Sequence, residues 1–308
     1  MIEVKNLKKK YDQISALNGI SFKVTENEIF GLLGPNGAGK STTINILSTI
    51  LKPDDGEVEI NRYNLKSKPI ACKKSMGIVP QEISLYDELS AIENLLFWGS
   101  LYDIKPSIIK EKTNSLLKLF GLWERRNDKI KSYSGGMKRR INIASALLHS
   151  PKVLLMDEPT VGIDPQSRNL IFEVTEKLNK EGLTIIYTTH YMEEAERLCN
   201  RIGIIDHGKI IAQGTVDELR KISKTTENLT IKIFETTEDK ILKLKNTLVQ
   251  KFAIEDNILI FFDDKAISDL PNIIVKMNES GLKISNIEIK KANLETVFLN
   301  LTGKKLRN

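Results

Sequence analysis

The chain has 308 residues, of which 41% are hydrophobic and 28% are charged, and its formal net charge is +6. This composition is typical of a globular protein with room for one medium α/β domain and a smaller second one, and the charge is too small to indicate a nucleic-acid-binding protein. Cys72 and Cys199 have no metal-ligand spacing, and no apolar run approaches the roughly 18 to 20 residues of a membrane-spanning helix. We therefore expect reduced thiols in a cytosolic chain, without a signal peptide at its N-terminus.

The first element with a chemical meaning is a glycine-rich segment that follows an apolar run at 29–33. Glycines let successive backbone N–H groups point inward, and the following helix adds the positive end of its dipole, so a phosphate cradle is predicted. Lys40 is expected at the β- and γ-phosphates and Ser41 at Mg²⁺. A glycine-rich turn without a ligand is disfavoured, because the full Gly-x-x-x-x-Gly-Lys-Ser/Thr pattern is present. The predicted nucleotide-binding residues here are Gly34, Pro35, Asn36, Gly37, Ala38, Gly39, Lys40, Ser41 and Thr42.

Helical spacing dominates the next part of the chain. Residues 91–98 are amphipathic, and a further helical stretch to about Trp123 places Leu117 and Phe120 on one face. The segment Ser134-Gly135-Gly136 then opens another predicted helix with an apolar stripe. That helix therefore offers a second N-terminus to an anion.

Two short buried strands are predicted to end in candidate catalytic residues. The run 153–156 would deliver Asp157 and Glu158 at its carboxyl end, where open α/β sheets hold their ligands. We expect Asp157 to bind Mg²⁺ and Glu158 to polarise an attacking water, although adjacent acids can also form a solvated turn and helix cap. A second run, 183–187, leads to His190, for which a γ-phosphate contact is favoured over an ordinary satisfied polar group.

Beyond a polar boundary at 223–227 the periodicity changes. Strand spacing at 229–234, 252–254, 258–262 and 284–289 alternates with helical spacing at 241–249 and 267–277. The resulting βαββαβ order predicts a small α+β ferredoxin-like domain, followed by a helix at 294–301. We expect a first domain at 1–222 and a second at 228–308, which contains no catalytic constellation.

In order and spacing these motifs resemble the ATP-binding cassette of ABC transporters, over roughly residues 1 to 220. The resemblance rests on the phosphate loop, on the segment 133–137, which is called the signature in this family, on 153–159, on 161–164 and on 188–190. It implies an α/β fold of the P-loop NTPase type, with a RecA-like core, an antiparallel β subdomain and a helical subdomain at about 82–140. The segment 292–298 is similar to the C-terminal accessory domain of many exporter cassettes. ATP and Mg²⁺ are the implied cofactors and ATP hydrolysis the implied activity.

The resemblance also implies roles that local patterns do not carry. Tyr11 would stack on adenine, although an ordinary edge-strand aromatic is the alternative. Gln81 would touch Mg²⁺ or the attacking water. The implied catalytic residues are then Glu158, His190 and Gln81, and the implied metal-binding residues are Ser41, Gln81 and Asp157. Ser134, Gly135 and Gly136 would close over the ATP of a second copy or a homologous cassette, so that two chains complete two sites.

A membrane partner is implied as well. The helical subdomain's groove would receive an integral membrane permease, with Leu85 and Tyr86 as apolar anchors, unless both lie in the subdomain core. Tyr133, Met137 and Val161 stand where leucine, glutamine and serine are the commoner family residues, and Met137 cannot donate a hydrogen bond. Met137 followed by basic residues is the variant that resembles single-cassette exporters of the drug and antibiotic efflux type.

We therefore expect a peripheral ATPase subunit at the cytoplasmic face of the membrane, which powers export through a separate permease and has no nucleic-acid partner. The alternative is a soluble ABC-type ATPase that acts on ribosomes or nucleic acid. Ribosome-acting members usually carry two cassettes in one chain, and DNA-repair members insert a long coiled coil before the signature. A nucleotide sensor without turnover is disfavoured, because Glu158 and His190 are both present.

Overall fold

The protein was analysed as a computed structural model that describes residues 1–222, 227–234, 236–248, 250–261, 264–291 and 294–302. Parts of the sequence predictions lie outside these residues, namely the polar boundary at 223–226, Val249, Phe262 and 292–293. The chain divides into two compact units, of which the first is Met1–Gln213 and the second starts at Gly214. In the described ranges, no helix has both the length and the apolar character that a bilayer span requires.

The first unit contains two sheets. Its strands are β1 (Ile2–Tyr11), β2 (Ile14–Val24), β3 (Ile29–Leu33), β4 (Asp55–Ile60), β5 (Tyr63–Asn64), β6 (Met76–Val79), β7 (Val153–Asp157), β8 (Thr184–Thr189), β9 (Arg201–Asp206) and β10 (Lys209–Gly214). One sheet has the order β10-β9-β3-β8-β7-β6, with parallel pairing from β9 through to β6. The other is antiparallel, with the order β2-β1-β4-β5. This arrangement confirms the predicted core and antiparallel β subdomain.

Helices surround the parallel sheet and form a subdomain beside it. They are α1 (Lys40–Leu47), α2 (Pro69–Ser75), α3 (Ala91–Ser100), α4 (Pro106–Leu119), α5 (Gly135–Ser145), α6 (Pro165–Lys180) and α7 (Met192–Leu198). Helices α3, α4 and α5 pack on one another and form the predicted helical subdomain. Helix α3 begins with a capping box, in which Ser90 and Glu93 satisfy each other's backbone N–H groups.

The central parallel strands are buried on both faces. Every residue of β3, β7 and β8 is buried, as expected for a parallel sheet covered by helices. On one side, α1 and the antiparallel sheet share a core in which Phe22 and Phe30 stack at 5.2 Å. Because β3, β7 and β8 are parallel neighbours, the residues that follow their carboxyl ends meet at one edge.

The second unit has its own sheet and its own core. Its elements are α8 (Val216–Ile222), β11 (Glu227–Ile233), α9 (Glu238–Thr247), β12 (Phe252–Glu255), β13 (Ile258–Phe261), α10 (Asp264–Ser268), α11 (Leu270–Glu279), β14 (Ile284–Lys291) and α12 (Leu294–Thr302). The antiparallel order β12-β13-β11-β14 is that of a ferredoxin-like βαββαβ unit. Helix α8, which the sequence analysis placed in the first domain, groups with this unit because it packs against α12.

Candidate active site

The phosphate loop joins β3 to α1 and fits tightly against neighbouring backbone. A Cβ on Gly34 would lie 2.2 Å from the carbonyl oxygen of Ile205, so a larger residue cannot occupy this position without displacing β9. Gly39 has φ 112°, where L side chains are strained, and its Cβ would lie 2.8 Å from the carbonyl of Ala16. The glycines thus allow the loop to close against β2 and β9 just before α1 begins.

Lys40 is buried inside this loop, with 4% of its side chain exposed. Its Nζ donates hydrogen bonds to the carbonyl oxygens of Gly34 at 2.7 Å and Pro35 at 3.0 Å. The same Nζ lies 3.0 Å from Oε1 of Glu158. The ammonium charge therefore sits between the loop and the carboxylate that follows β7.

Asp157 and Glu158 are both 5% exposed at the carboxyl end of β7. A hydroxyl on the neighbouring strand links them, because Thr188 Oγ1 donates to Asp157 Oδ1 at 2.6 Å and accepts from the Glu158 N–H at 2.9 Å. Glu158 has φ 44°, a conformation uncommon for a residue other than glycine. Strand β7 therefore ends in a sharp turn between the two carboxylates.

His190 follows the adjacent strand β8 and meets the same carboxylate from the other side. Its Nδ1 lies 3.2 Å from Oε2 of Glu158, without hydrogen-bond geometry. Lys40, Glu158 and His190 thus form a row with Glu158 in the centre. All three residues are predicted site residues, and the structure brings them together.

Gln81 is exposed and follows β6, and its backbone is fixed by a buried arginine. Arg139 of α5 is 3% exposed, and its guanidinium donates to the carbonyl oxygen of Pro80 at 2.6 Å and to that of Gln81. Burial lowers the pKa of Arg139, while the charge of Asp157 opposes that shift. The link joins α5 to the segment after β6. The sequence did not predict this role of Arg139, because the run of basic residues at 138–140 resembles a solvated surface.

Tyr11 lies at the end of β1 and is 44% exposed. It pairs with Ile14 across the β1–β2 hairpin, and Ala16 and Leu17 of β2 lie beside Gly39 of the phosphate loop, where a Cβ on that glycine would meet both. The aromatic ring is therefore exposed on the hairpin that borders the loop, which is compatible with either predicted role.

The segment Ser134-Gly135-Gly136 begins α5 as predicted. Ser134 caps the helix, since its Oγ accepts the Met137 N–H at 3.3 Å, and Ser134 and Gly135 are exposed. A Cβ on Gly136 would lie 2.1 Å from Ser167 Oγ, so this glycine permits close packing of α5 on α6. The contacts of this segment therefore include Met137 of α5, and Asp164 and Ser167 at the start of α6.

The two unusual signature residues share one partner. The Tyr133 hydroxyl donates to the carbonyl oxygen of Arg125 at 2.6 Å, and the Arg125 guanidinium lies 5.2 Å from the ring centroid of Tyr133. Arg125 Nη1 also donates to Met137 Sδ at 3.4 Å. Tyr133 and Met137 are both buried. These residues therefore belong to the packing of the helical subdomain, and neither is aimed at solvent where a nucleotide could approach.

Comparison with known proteins agrees with this geometry. A family model described as ABC transporter matches residues 17–161. The chain is 43% identical to the linearmycin resistance ATP-binding protein LnrL of Bacillus subtilis, with full coverage of both chains. It is 37% identical to the Nod factor export ATP-binding protein I of a Rhizobium species, over 99% of this chain and 98% of the other.

A solved structure matches most of the chain. It is a dimeric ATP-binding cassette in a post-hydrolysis state, bound to ADP and phosphate. The match has 28% identity and a TM-score of 0.64, and it covers 70% of this chain and 98% of that one.

Proposed function

The chain belongs to the ABC transporter family of ATP-binding proteins, and from this premise we propose that it is the ATP-hydrolysing subunit of an exporter, which powers transport through a separate membrane permease. The observation that carries the proposal is the buried row of Lys40, Glu158 and His190 behind a full phosphate loop. No finding favours the alternative of a soluble ATPase acting on ribosomes or nucleic acid. Since ATP is an intracellular substrate, the proposed location is the cytoplasmic face of the membrane.

The geometry of Lys40 supports a simple exchange of partners when ATP binds. The phosphates of ATP would offer the ammonium stronger, charged acceptors than the two loop carbonyls it now uses. Glu158 would then be free to orient and polarise the water that attacks the γ-phosphorus, and His190 would contact the γ-phosphate. Phosphoryl transfer depends mainly on such positioning and charge neutralisation.

The chain offers a set of oxygen donors that fits Mg²⁺, which prefers hard oxygen ligands and retains several waters. The Asp157 carboxylate, the Ser41 hydroxyl and the Gln81 amide oxygen are all oxygen donors, and we propose that they hold the ion. Bound Mg²⁺ would neutralise phosphate charge during hydrolysis. Arg139, which anchors the Gln81 backbone, would keep this donor at a fixed distance from α5.

We also propose that two cassettes complete each other's sites. The exposed start of α5 offers backbone N–H groups and the positive end of a helix dipole to an anion. A partner's ATP would be the anion that these groups receive. The dimeric state of the similar cassette supports this arrangement.

A groove of about 860 Å³ in the first unit is the proposed permease surface. Its wall includes exposed Ile70 and Leu101, together with Trp98 and the basic residue Lys73. The predicted anchors Leu85 and Tyr86 follow Ser84, which lines the groove, but do not line it themselves. Tyr86 is 48% exposed and packs edge-on against Phe97, with 4.9 Å between the ring centroids. An amphipathic permease segment could occupy this groove.

The chemical proposal is tested with three variants. Glu158→Gln should retain ATP binding and slow hydrolysis by roughly 10² to 10⁴, the usual contribution of a general base. Lys40→Ala should weaken ATP binding itself, because it removes a charge-assisted contact. Glu173→Gln, on the exposed face of α6, is the matched control and should hydrolyse ATP normally. Near-normal turnover of the Glu158→Gln protein would contradict the assignment.

The docking proposal requires the permease to be co-expressed. Charged residues at Ile70 and Leu101 should leave ATP hydrolysis by the isolated chain intact and abolish co-purification with the permease, because a groove buried on binding does not accept an unpaired charge. Ile108→Glu, an exposed apolar position on α4 that does not line the groove, serves as the control. If a Leu85 and Tyr86 double variant loses the permease and the groove variant does not, the docking surface is the one predicted from sequence.

A further inference from the structure

Glu194 is a buried carboxylate that lies behind the candidate active site. It is on α7 and 3% exposed. Its Oε1 accepts a hydrogen bond from Thr160 Oγ1 at 2.7 Å, and its Oε2 accepts from Tyr187 OH at 3.0 Å and from Thr189 Oγ1 at 2.9 Å. Three hydroxyl groups therefore replace the water that a carboxylate would otherwise bind.

The hydroxyl groups come from both sides of the catalytic row. Thr160 lies two residues after Glu158, in the turn that leaves β7. Thr189 immediately precedes His190, and its Oγ1 also accepts the backbone N–H of Tyr191 at 2.9 Å. Glu194 thus binds Thr189, the residue before His190, and Thr189 in turn binds Tyr191, the residue after His190.

All three hydroxyl groups donate to the Glu194 carboxylate, so both of its oxygens act as acceptors. Burial raises the pKa of Tyr187 well above its ordinary value, and the charge of Glu194 adds to the shift, so the phenol remains a donor. Thr160 and Thr189 each donate their single hydroxyl proton to the carboxylate as well. An amide at position 194 could accept at one atom only and would present N–H protons to at least one of these hydroxyls.

An ordinary buried polar residue behaves differently in this same fold. Thr175 is equally buried, and its hydroxyl is satisfied within its own helix by the carbonyl of Ile171 at 2.7 Å. Glu194 instead connects α7 to β8 and to the turn after β7. Since a buried charge is often no more stabilising than apolar packing, this connection is better explained by the geometry that it imposes.

We propose that Glu194 is a positioning residue, which holds the turn after Glu158 and the His190 turn in one mutual arrangement during ATP hydrolysis. The inference rests on the proposed function. Glu194 does not itself touch the row of Lys40, Glu158 and His190, and it acts through Thr160 and Thr189. Its loss should therefore reduce kcat while the phosphate loop still binds ATP.

The first test compares two buried carboxylates. Glu194→Gln should lower kcat by roughly 10- to 10²-fold, the effect of a small misplacement of catalytic groups, with the KM for ATP within about threefold of wild type. Glu28 is also buried, at 4% exposed, but it lies just before the amino end of β3, at the opposite edge of the sheet. Glu28→Gln should leave the kcat of the folded protein unchanged.

The second test uses the threonine partner. Thr160→Val removes the hydroxyl at nearly constant volume and should lower kcat, whereas Thr160→Ser keeps the donor and should restore it. Thr175→Val is the matched control, because it deletes an equally buried hydroxyl that has no link to the site. Should Glu194→Gln fail to fold, this series decides the question alone.

A double-mutant cycle identifies the route of the effect. In a His190→Ala background, Glu194→Gln should cost much less than in wild type if it acts through His190. Full additivity, or a normal kcat for both Glu194→Gln and Thr160→Val, would overturn the inference. A parallel rise in KM and loss of thermal stability would overturn it too, since it indicates a role in folding only. The proposed function fails separately, if wild type does not hydrolyse ATP or Glu158→Gln does not slow it.

Discussion

Two adjacent glycines at the start of α5 allow folding and assembly to be separated. A Cβ on Gly135 would have no neighbouring atom within 4 Å, whereas one on Gly136 would lie 2.1 Å from Ser167 Oγ. Replacing glycine by alanine in a helix restricts the unfolded chain and stabilises by about 0.4–1 kcal/mol. Gly135→Ala should therefore be neutral or slightly stabilising. At Gly136 the overpacking cost of about 1–3 kcal/mol exceeds that gain, so a net loss of stability is expected.

Gly135→Ala, the variant expected to be the more stable of the two, should nevertheless lose ATPase activity. Gly135 is exposed, at the helix end where we place a partner's ATP, and an added methyl group would keep phosphate from the backbone N–H groups. We expect Gly135→Ala to lower ATPase activity by roughly 10²-fold, comparable to the loss of one preorganised donor. Urea unfolding measures the stability of each variant. Light scattering with ATP, in the Glu158→Gln background, measures dimer formation. Normal dimerisation and turnover of a stable Gly135→Ala protein would refute the shared-site reasoning.

Three further outcomes follow from buried groups outside the catalytic row. Tyr133→Phe should lose about 1 kcal/mol of stability in urea unfolding, because one hydrogen bond to Arg125 is removed, and should hydrolyse ATP normally; a large activity loss at unchanged stability would show contact with nucleotide instead. Burial lowers the pKa of His149, so the unfolded chain binds its proton more readily, and stability should fall as the pH drops below about 6.5. A His149→Gln variant should show a weaker pH dependence in that window, and an identical curve would exclude this histidine as the cause. Burial also raises the pKa of the Cys72 and Cys199 thiols, so both should react with a thiol reagent only on unfolding, and rapid labelling of the native protein would contradict their burial.

Local sequence patterns were sufficient to predict those parts of the fold and of the site that depend on adjacent residues. The phosphate loop needs glycines in sequence, and the two buried strands end in their polar residues, so Lys40, Glu158 and His190 could be placed at one sheet edge. The βαββαβ order of the second unit was likewise readable from alternating periodicity. Their mutual distances could not be predicted, because these depend on parallel pairing between segments far apart in the chain.

Tertiary contacts decided what the sequence left open. Arg139 stands between two other basic residues, and only the packing of α5 shows that it is buried against Pro80 and Gln81. The helix at 216–222 was placed at the end of the first domain from sequence, and its contact with α12 groups it with the second unit instead. Glu194 resembles any acid of an amphipathic helix until the fold brings Thr160 to it.

The triangle of Arg125, Tyr133 and Met137 limits how the signature segment can be engineered. The Arg125 carbonyl accepts a hydrogen bond from the Tyr133 hydroxyl, and the Arg125 guanidinium lies over the Tyr133 ring and donates to the Met137 sulfur. Leucine at 133 would remove the hydroxyl and the ring that Arg125 contacts, and glutamine at 137 would replace the Met137 sulfur by an amide. In a library that varies positions 133 and 137 alone, some variants would therefore be unstable only because Arg125 has lost its contacts with these residues. Because Arg125 contacts both of the other residues, positions 125, 133 and 137 should be varied together.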